Sequence, residues 1–113
     1  VTMPTTDFAP LGVFEEQILV AVLRTADDAY GMEVSRELER VTGRELAIGA
    51  VYATLDRLEA KGLLSSARVH GDGPSRRRFA VTRAGARALA DTHAMRERLW
   101  RGVDLRGVLA LAR

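Results

Sequence analysis

The chain has 113 residues, enough for one small domain, and its 47% hydrophobic and 28% charged residues are typical of a folded globular protein. It contains no cysteine, which excludes a disulfide framework, a thiolate zinc site and a cysteine nucleophile. The net charge of +2 hides a basic second half, with 12 basic and 4 acidic side chains in residues 61–113 against 5 and 11 in residues 1–60, which favours a polyanionic partner.

The first part of the chain predicts a tail followed by a helix. Residues 1–10 show no hydrophobic period and contain two prolines and three threonines, a composition that predicts a flexible tail. Apolar residues then recur three and four positions apart over residues 14–25, which predicts a first helix. Asp27 and Asp28 follow in a predicted loop, where their carboxylates are suited to capping the next helix.

Two further helices are predicted from apolar stripes with helical spacing. The second ends at Gly43, a residue type that commonly follows a helix C-terminus. Its expected core stripe is Tyr30, Val34, Leu38 and Val41. The third begins at Ala47 or Ile48 and ends at Gly62. Its expected core stripe is Ile48, Val51, Leu55 and Leu58.

A β-hairpin and a long helix complete the predicted order of elements. Strands are expected at residues 63–69 and 76–81, because a turn rich in glycine, proline and serine separates them. Thr82 is a good N-cap for a long fourth helix over residues 83–102. Asp104 is suited to capping a last short apolar segment.

This order predicts a mainly α fold with a small β-hairpin. Residues 11–82 form a winged helix-turn-helix in this interpretation, since the second and third helices are joined by a short link. An isolated hairpin is only marginally stable in water, so the wing must pack on the helices. A long C-terminal dimerisation helix and a tail are expected over residues 83–113.

The outer face of the third helix carries small residues, Gly49, Ala50 and Ala53. Such a face allows a helix to approach the floor of a DNA major groove. Tyr52 and Arg57 flank it and can donate hydrogen bonds to phosphates. The alternative is that the small residues only fill space and that Tyr52 is a half-buried core residue.

The predicted wing carries three successive arginines, residues 76–78, opposite Arg68. Side chains alternate along a strand, so Arg77 is expected on the side of Phe79, which is predicted to face the core. Basic wings reach phosphates or the minor groove. The alternative function of these arginines is to keep a sheet edge solvated and resistant to aggregation.

Several segments resemble the PadR family of transcriptional regulators: Ala29-Tyr30-Gly31, Gly43-Arg44-Glu45-Leu46, the run from Gly49 to Leu63, and Thr82-Arg83-Ala84-Gly85. The resemblance covers about residues 11–89. It implies a homodimeric DNA-binding repressor, often ligand-responsive, with the C-terminal helix as the dimer element. It also implies that Tyr52 is the tyrosine of the third helix that contacts the DNA backbone.

The predicted DNA-binding residues are therefore Tyr30, Gly49, Ala50, Tyr52, Ala53, Arg57, Lys61, Arg68, Arg76, Arg77 and Arg78. The predicted function is sequence-specific binding to double-stranded DNA as a repressor that responds to a ligand. The alternative is a winged-helix adaptor that binds protein through the acidic first half. No nucleophile–base pair, phosphate-binding glycine loop or metal-ligand cluster is recognised, so no enzymatic activity, cofactor or metal is predicted.

The fourth helix presents a broad, partly apolar face that one small core cannot easily bury. The residues predicted for a dimer contact or an effector site are Leu89, His93, Met95, Leu99, Trp100 and Val103. A twofold partner would bury this face and place two DNA-reading helices about 34–36 Å apart on an inverted repeat. A small planar apolar effector between paired Trp100 rings is a second interpretation, with simple packing as its alternative.

A membrane partner is not expected from this sequence. The longest apolar run is Ile18–Leu23, far short of the roughly 20 residues that span a bilayer. No secretory signal is recognised either. The expected location is the cytoplasm, which the absence of cysteine fits.

Overall fold

The computed structural model describes residues 10–113, so the predicted tail lies outside the described residues except for Pro10. Five α-helices, one 3-10 turn and two strands follow in chain order. They are α1 (Val13–Thr25), the 3-10 turn (Ala26–Asp28), α2 (Gly31–Thr42), α3 (Ile48–Ala60), β1 (Leu64–Val69), β2 (Arg76–Val81), α4 (Arg83–Trp100) and α5 (Leu105–Ala110). This order confirms the predicted winged helix-turn-helix with a long C-terminal helix.

One apolar cluster holds α1, α2, α3 and the hairpin together. Its fully or almost fully buried members are Ile18, Leu19, Ala21, Val22, Ala29, Val34, Leu38, Val51, Leu55, Leu58, Leu64 and Phe79. Each of the larger side chains contributes about 1.5–3 kcal/mol by leaving water. The predicted stripe of α3 is confirmed at Val51, Leu55 and Leu58, and the buried Thr54 extends it.

Two residues predicted for the core are half exposed instead. Val41 is 51% exposed because it lies in the last turn of α2, where the helix has passed the core. Ile48 is 41% exposed because it is the first residue of α3 and precedes the buried stripe. Gly43 ends α2 as predicted, with a φ of 73° in the left-handed region that favours glycine.

The link between α1 and α2 differs from the predicted capping loop. Asp27 and Asp28 lie in the 3-10 turn, and no side chain of the described residues caps α2. Tyr30 takes the N-cap position with extended backbone because it is bridged to Arg78 of the wing. The backbone N–H of Phe79 also donates to the carbonyl of Ala29 at 2.9 Å. The hairpin therefore has a short third partner that anchors it to the helices.

The wing is an antiparallel hairpin whose register runs from Leu64 opposite Val81 to Val69 opposite Arg76. It begins one residue later than predicted. Thr82 then caps α4 as predicted, since its hydroxyl accepts from the Gly85 N–H at 3.0 Å and donates to the Gly62 carbonyl at 2.7 Å. These bonds tie the start of α4 to the end of α3.

The long helix α4 is attached to α1 and to the residue Leu11 before it through polar contacts. The Thr92 hydroxyl, buried, accepts from the Leu11 N–H at 3.1 Å. Arg96 donates from Nη1 to Glu16 Oε2 at 3.1 Å and forms a second bond from Nη2 to Glu16 Oε1. Helix α4 ends at Trp100, two residues before the predicted end, and Asp104 caps α5 as predicted by accepting from the Arg106 N–H.

Candidate nucleic-acid interface

The outer face of α3 is exposed and carries small side chains at its start. Gly49, Ala50 and Ala53 are all exposed, and a β-carbon built on Gly49 meets no atom within 4 Å. Glycine inside a helix costs about 1 kcal/mol relative to alanine, and no packing among residues 10–113 requires glycine at this position. The exposed start of α3 therefore leaves the helix backbone accessible from outside.

Tyr52 joins α3 to the start of α2. Its ring and hydroxyl lie directly against Gly31, where a β-carbon would overlap the ring. The side chain is not sealed in the core, since 38% of Tyr52 is exposed. Tyr52 therefore packs its hydroxyl end on Gly31, and part of the side chain remains accessible.

A pocket of about 230 Å³ lies between the first turn of α2, the flank of α3 and the wing. It is lined by Tyr30, Gly31, Met32, Glu33, Tyr52, Arg68, Ser75, Arg76 and Arg77. The pocket combines three guanidinium groups with the first turn of α2, whose backbone N–H groups carry partial positive charge. Its chemistry suits an anionic group such as a phosphate.

Arg76 lies at the mouth of this pocket. Its guanidinium stacks 3.9 Å from the centroid of the Tyr30 ring, a cation–π geometry. Arg76 Nη1 is 3.9 Å from Glu33 Oε1, a buried oxygen that accepts no hydrogen bond from residues 10–113. Tyr30 and Arg76 are thus positioned by each other, and the arginine keeps an exposed surface.

Arg77 fastens the wing to α3. Its Nη2 is 2.9 Å from Asp56 Oδ1 and 2.8 Å from Glu59 Oε1, and the guanidinium lies over the Phe79 ring as the strand alternation predicts. Burial alone would lower the pKa of Arg77, but its hydrogen bonds to the two carboxylates outweigh that effect and raise it. Ser66 joins the cluster by donating to Glu59 Oε2 at 2.7 Å.

Arg57 and Lys61 lie on the other flank of α3, beside α1. Both contact Glu15, with Lys61 Nζ 2.7 Å and Arg57 Nε 3.4 Å from Glu15 Oε2. The hydrogen bond from Lys61 lowers the pKa of Glu15, despite the opposing effect of partial burial. This carboxylate offsets part of the positive charge that the sequence assigns to this flank.

Arg68 and Arg78 are exposed on the wing. In the part of the chain that the structure describes, neither forms an ion pair, in contrast to Arg76 and Arg77. Their charges are therefore fully available to a partner. The structure brings Arg68, Arg76 and Arg77 of the wing around one pocket with Tyr30 and Tyr52. Arg78, Arg57 and Lys61 do not line it.

Sequence reasoning missed the carboxylates Glu15, Asp56 and Glu59. Each forms an ion pair with one or more of the predicted DNA-binding residues. Asp56 and Glu59 are three residues apart and share one flank of α3, a spacing that could have pointed to a common partner. No sequence signal identifies Arg77 as that partner, because it comes from the wing. Glu15 is likewise distant in sequence from Lys61.

The predicted dimer and effector residues do not form one continuous face. Leu89 packs against the domain's own core, and Met95 is partly buried. His93 is exposed near Glu97, with Nδ1 3.8 Å from Oε1. Leu99, Trp100 and Val103 are the exposed apolar members. Arg96 of the same helix pairs with Glu16, because α4 crosses α1 at this turn.

Two classes of site are absent from the described part of the chain. Residues 10–113 contain no group of three or more histidine, cysteine or acidic side chains that could hold a metal ion. Over the same residues, every helix is too short or too polar to cross a bilayer.

Comparison with known proteins gives consistent matches. The model of the Transcriptional regulator PadR-like family matches residues 19–91. Transcriptional regulator Rv3488 of Mycobacterium tuberculosis is 39% identical over 77 residues, which cover 68% of this chain and 71% of that protein. The structure of RosR from H. salinarum has a TM-score of 0.68 at 27% identity, covering 94% of this chain and 92% of that one. A PadR family regulator from Eggerthella lenta has a TM-score of 0.63 at 26% identity, covering 78% and 80%.

Proposed function

Since the chain belongs to the PadR-like family of transcriptional regulators, we propose that it binds DNA sequence-specifically, as a homodimer on an inverted repeat. The observation that carries this proposal is the open outer face of α3, where Gly49, Ala50 and Ala53 leave the helix backbone accessible. The major groove is about 12 Å wide and admits a helix closely where side chains do not hold it off. Residues 11–82 are the proposed DNA-binding domain.

The proposed phosphate contacts come from the wing side of α3. The accessible edge of Tyr52, the first turn of α2 and Arg76 surround a pocket that suits a phosphate. Arg68 and Arg78 extend the positive surface along the wing, toward phosphates or the minor groove. Arg57 and Lys61 contribute charge from the opposite flank once a phosphate competes with Glu15.

The proposed dimer element is residues 83–113. Leu99, Trp100 and Val103 are exposed in a single chain, and apolar side chains of this size are stabilised when a partner covers them. In a twofold dimer the same patch is buried on both subunits. Two α3 helices about 34–36 Å apart would then enter successive major grooves on one side of the duplex.

We propose that the regulator acts as a repressor and releases DNA when a ligand binds. A ligand can shift the equilibrium only if it binds the DNA-incompetent dimer more tightly. Trp100 is 45% exposed and is the single tryptophan of the chain, so a planar apolar effector stacked on it would quench the protein's fluorescence. The proposed location is the cytoplasm, where such a regulator meets DNA.

Selection of bound sequences from a random duplex pool tests the central proposal. We expect a twofold-symmetric motif, with affinity that falls steeply as salt concentration rises because bound phosphates release counterions. Sequences without any shared motif, together with an affinity insensitive to salt, would instead favour the protein-binding adaptor.

Paired substitutions locate the interface. We expect Tyr52→Ala combined with Arg57→Ala to abolish retention of the selected duplex, while Arg87→Ala on the exposed surface of α4 leaves retention unchanged. Unchanged binding by the double variant would overturn the assignment of α3. For the effector, Trp100→Leu is expected to remove release by planar apolar compounds without removing DNA binding.

A further inference from the structure

A carboxylate lies inside the positively charged pocket of the proposed interface. Glu33, in the first turn of α2, lines this pocket together with Arg68, Arg76 and Arg77 of the wing. A negative charge beside a phosphate site weakens DNA binding by repulsion unless a cation stands between the two anions. The contacts of Glu33 therefore decide whether this residue opposes DNA binding or assists it.

The two carboxylate oxygens of Glu33 have different surroundings. Oε2 accepts a hydrogen bond from Arg36 Nη1 at 2.8 Å, within the same helix. Oε1 is buried and accepts no hydrogen bond from the described residues. Arg76 Nη1 lies 3.9 Å from Oε1, within ion-pair range but beyond hydrogen-bond range. A buried carboxylate oxygen without a donor is unfavourable, so Oε1 favours any change that brings a donor within reach.

Arg76 can supply that donor without leaving its position on Tyr30. Its guanidinium lies 3.9 Å from the centroid of the Tyr30 ring, and its N–H groups lie in the guanidinium plane, away from the stacked face. Among residues 10–113 its one ionic partner is Glu33, and 61% of its side chain is exposed. A shift of about 1 Å would bring Nη1 to hydrogen-bond distance from Oε1. The other N–H groups would remain available to a partner outside the chain.

A DNA backbone cannot supply the missing donor itself. Its phosphate and deoxyribose oxygens only accept hydrogen bonds, since DNA lacks the 2′-hydroxyl of RNA. A phosphate that enters the pocket therefore leaves Glu33 Oε1 without a partner unless Arg76 moves onto it. The fork of five N–H groups on a guanidinium can serve two acceptors at once. An arginine between the carboxylate and the phosphate also offsets the repulsion between these two anions.

We propose that Glu33 is a positioning residue for DNA binding. When a phosphate enters the pocket, Glu33 Oε1 accepts from Arg76 Nη1 and holds the remaining N–H groups of that arginine toward the phosphate. An arginine that is already oriented loses less conformational freedom on binding. This inference rests on the proposed function and adds to its interface a residue that the sequence did not assign.

Affinity for the selected duplex tests the proposal. Glu33→Asp keeps the charge but shortens the side chain by one methylene, so the carboxylate no longer reaches Arg76. We expect the affinity to fall by at least about threefold. Glu45→Asp is the matched control, because it shortens an exposed glutamate on the loop between α2 and α3 and is expected to leave the affinity unchanged. Unchanged or higher affinity in Glu33→Asp would overturn the proposal.

A double variant separates positioning from a general structural role. In a chain that carries Arg76→Ala, we expect Glu33→Asp to change the affinity by less than about 1.5-fold, because no guanidinium remains to be oriented. Equal losses in both backgrounds would show that Glu33 acts through the folding of α2, which overturns the proposal.

Sequence selection with Glu33→Asp addresses the remaining acceptor role of Oε1. We expect the variant to select the same motif as the natural chain, because a backbone contact carries no direct sequence information. A changed base preference would show that Oε1 accepts from the amino group of a base, and this outcome also overturns the proposal.

Inorganic pyrophosphate separates this inference from the proposed function, because it provides phosphate groups without a duplex. We expect pyrophosphate to slow the rotation of the Arg76 guanidinium, so that Nη1 and Nη2 give separate nitrogen signals in NMR spectra of the natural chain and one merged signal in Glu33→Asp. The same spectra for both proteins would overturn the proposal. Separate signals in a natural chain that binds no duplex would contradict only the proposed function, whereas equal duplex binding by the natural chain and Glu33→Asp would contradict only the inference.

Discussion

The ring of Tyr52 on α3 lies against the α-carbon of Gly31 on α2, so a β-carbon at position 31 would displace the ring. This contact fixes the distance between the start of α2 and the flank of α3. Because the pocket beside the wing is lined by the same two residues, the contact also shapes the proposed phosphate site. One glycine thus serves the packing and the interface together.

We therefore expect Gly31→Ala to disturb both the packing of α2 on α3 and the proposed phosphate site. The added β-carbon overlaps the Tyr52 ring, and overpacking of this kind costs about 1–3 kcal/mol of unfolding free energy. Urea unfolding followed by circular dichroism measures the loss. Gly71→Ala in the hairpin turn is the control, since open space surrounds Gly71. Equal midpoints for the two variants would contradict the contact.

At Gly49 we expect a small substitution to raise stability and a large one to lower DNA affinity. Gly49→Ala raises the unfolding free energy by up to about 1 kcal/mol, because the helix gains a better helix former. Gly49→Leu keeps the fold but holds α3 away from the groove, and lowers affinity for the selected duplex by at least about tenfold. Denaturation and gel-shift titrations report the two effects. Unaltered affinity in Gly49→Leu would exclude a close approach at this position.

Neighbouring wing arginines are expected to act differently. Arg77→Ala leaves Asp56 and Glu59 facing each other without their shared cation, and costs about 1 kcal/mol or more of stability. Arg78→Ala is expected to change stability by less than about 0.5 kcal/mol. It should lower the slope of log affinity against log salt by about 0.9, because one phosphate contact is lost. Identical stability of the two variants would contradict the role of Arg77 in joining the wing to α3.

The attachment of α4 to α1 depends on Arg96. Arg96→Ala leaves the largely buried Glu16 carboxylate without its partner, which is expected to cost about 1–3 kcal/mol. Arg98→Ala is the control, because Arg98 is exposed and forms no ion pair among residues 10–113. Thermal unfolding of the three proteins measures the difference. Matching losses for both substitutions would rule out a specific role for the Arg96–Glu16 pair.

Stability is expected to fall in acid partly through Glu37. Hydrogen bonds from Arg40 and Arg24 lower the pKa of Glu37 from its ordinary value of 4.5 to about 2. Between these values the unfolded chain binds the proton and the folded chain does not, so this contribution is complete above pH 4.5 and is lost as the pH falls toward 2. Urea midpoints across this range should fall less steeply for Glu37→Gln than for the natural chain.

The control for this pH dependence is Glu45→Gln, because Glu45 is exposed and pairs with no cation in the described residues. We expect its midpoints to follow those of the natural chain across the range. A Glu37→Gln profile parallel to the natural one would show that the ion pairs to Arg24 and Arg40 do not survive in solution.

Local signals were enough to predict most of the elements. Gly43 ends α2, Thr82 caps α4 and the alternation of β2 places Arg77 beside Phe79, since each depends on a few consecutive residues. Periodicity was less reliable at helix ends. Val41 and Ile48 continue the apolar spacing but lie beyond the reach of the core, and no local pattern shows where a helix leaves its neighbours.

The sequence by itself determined the order of elements, the small outer face of α3 and the cationic character of the wing, because these follow from backbone preference and helical or strand periodicity. Only the tertiary structure decided which charges remain available. Arg77, Arg57 and Lys61 meet carboxylates from other elements, whereas Arg68 and Arg78 meet none among residues 10–113. Ion pairs between distant segments depend on how the helices pack, and that packing is a property of the whole core rather than of any local stretch.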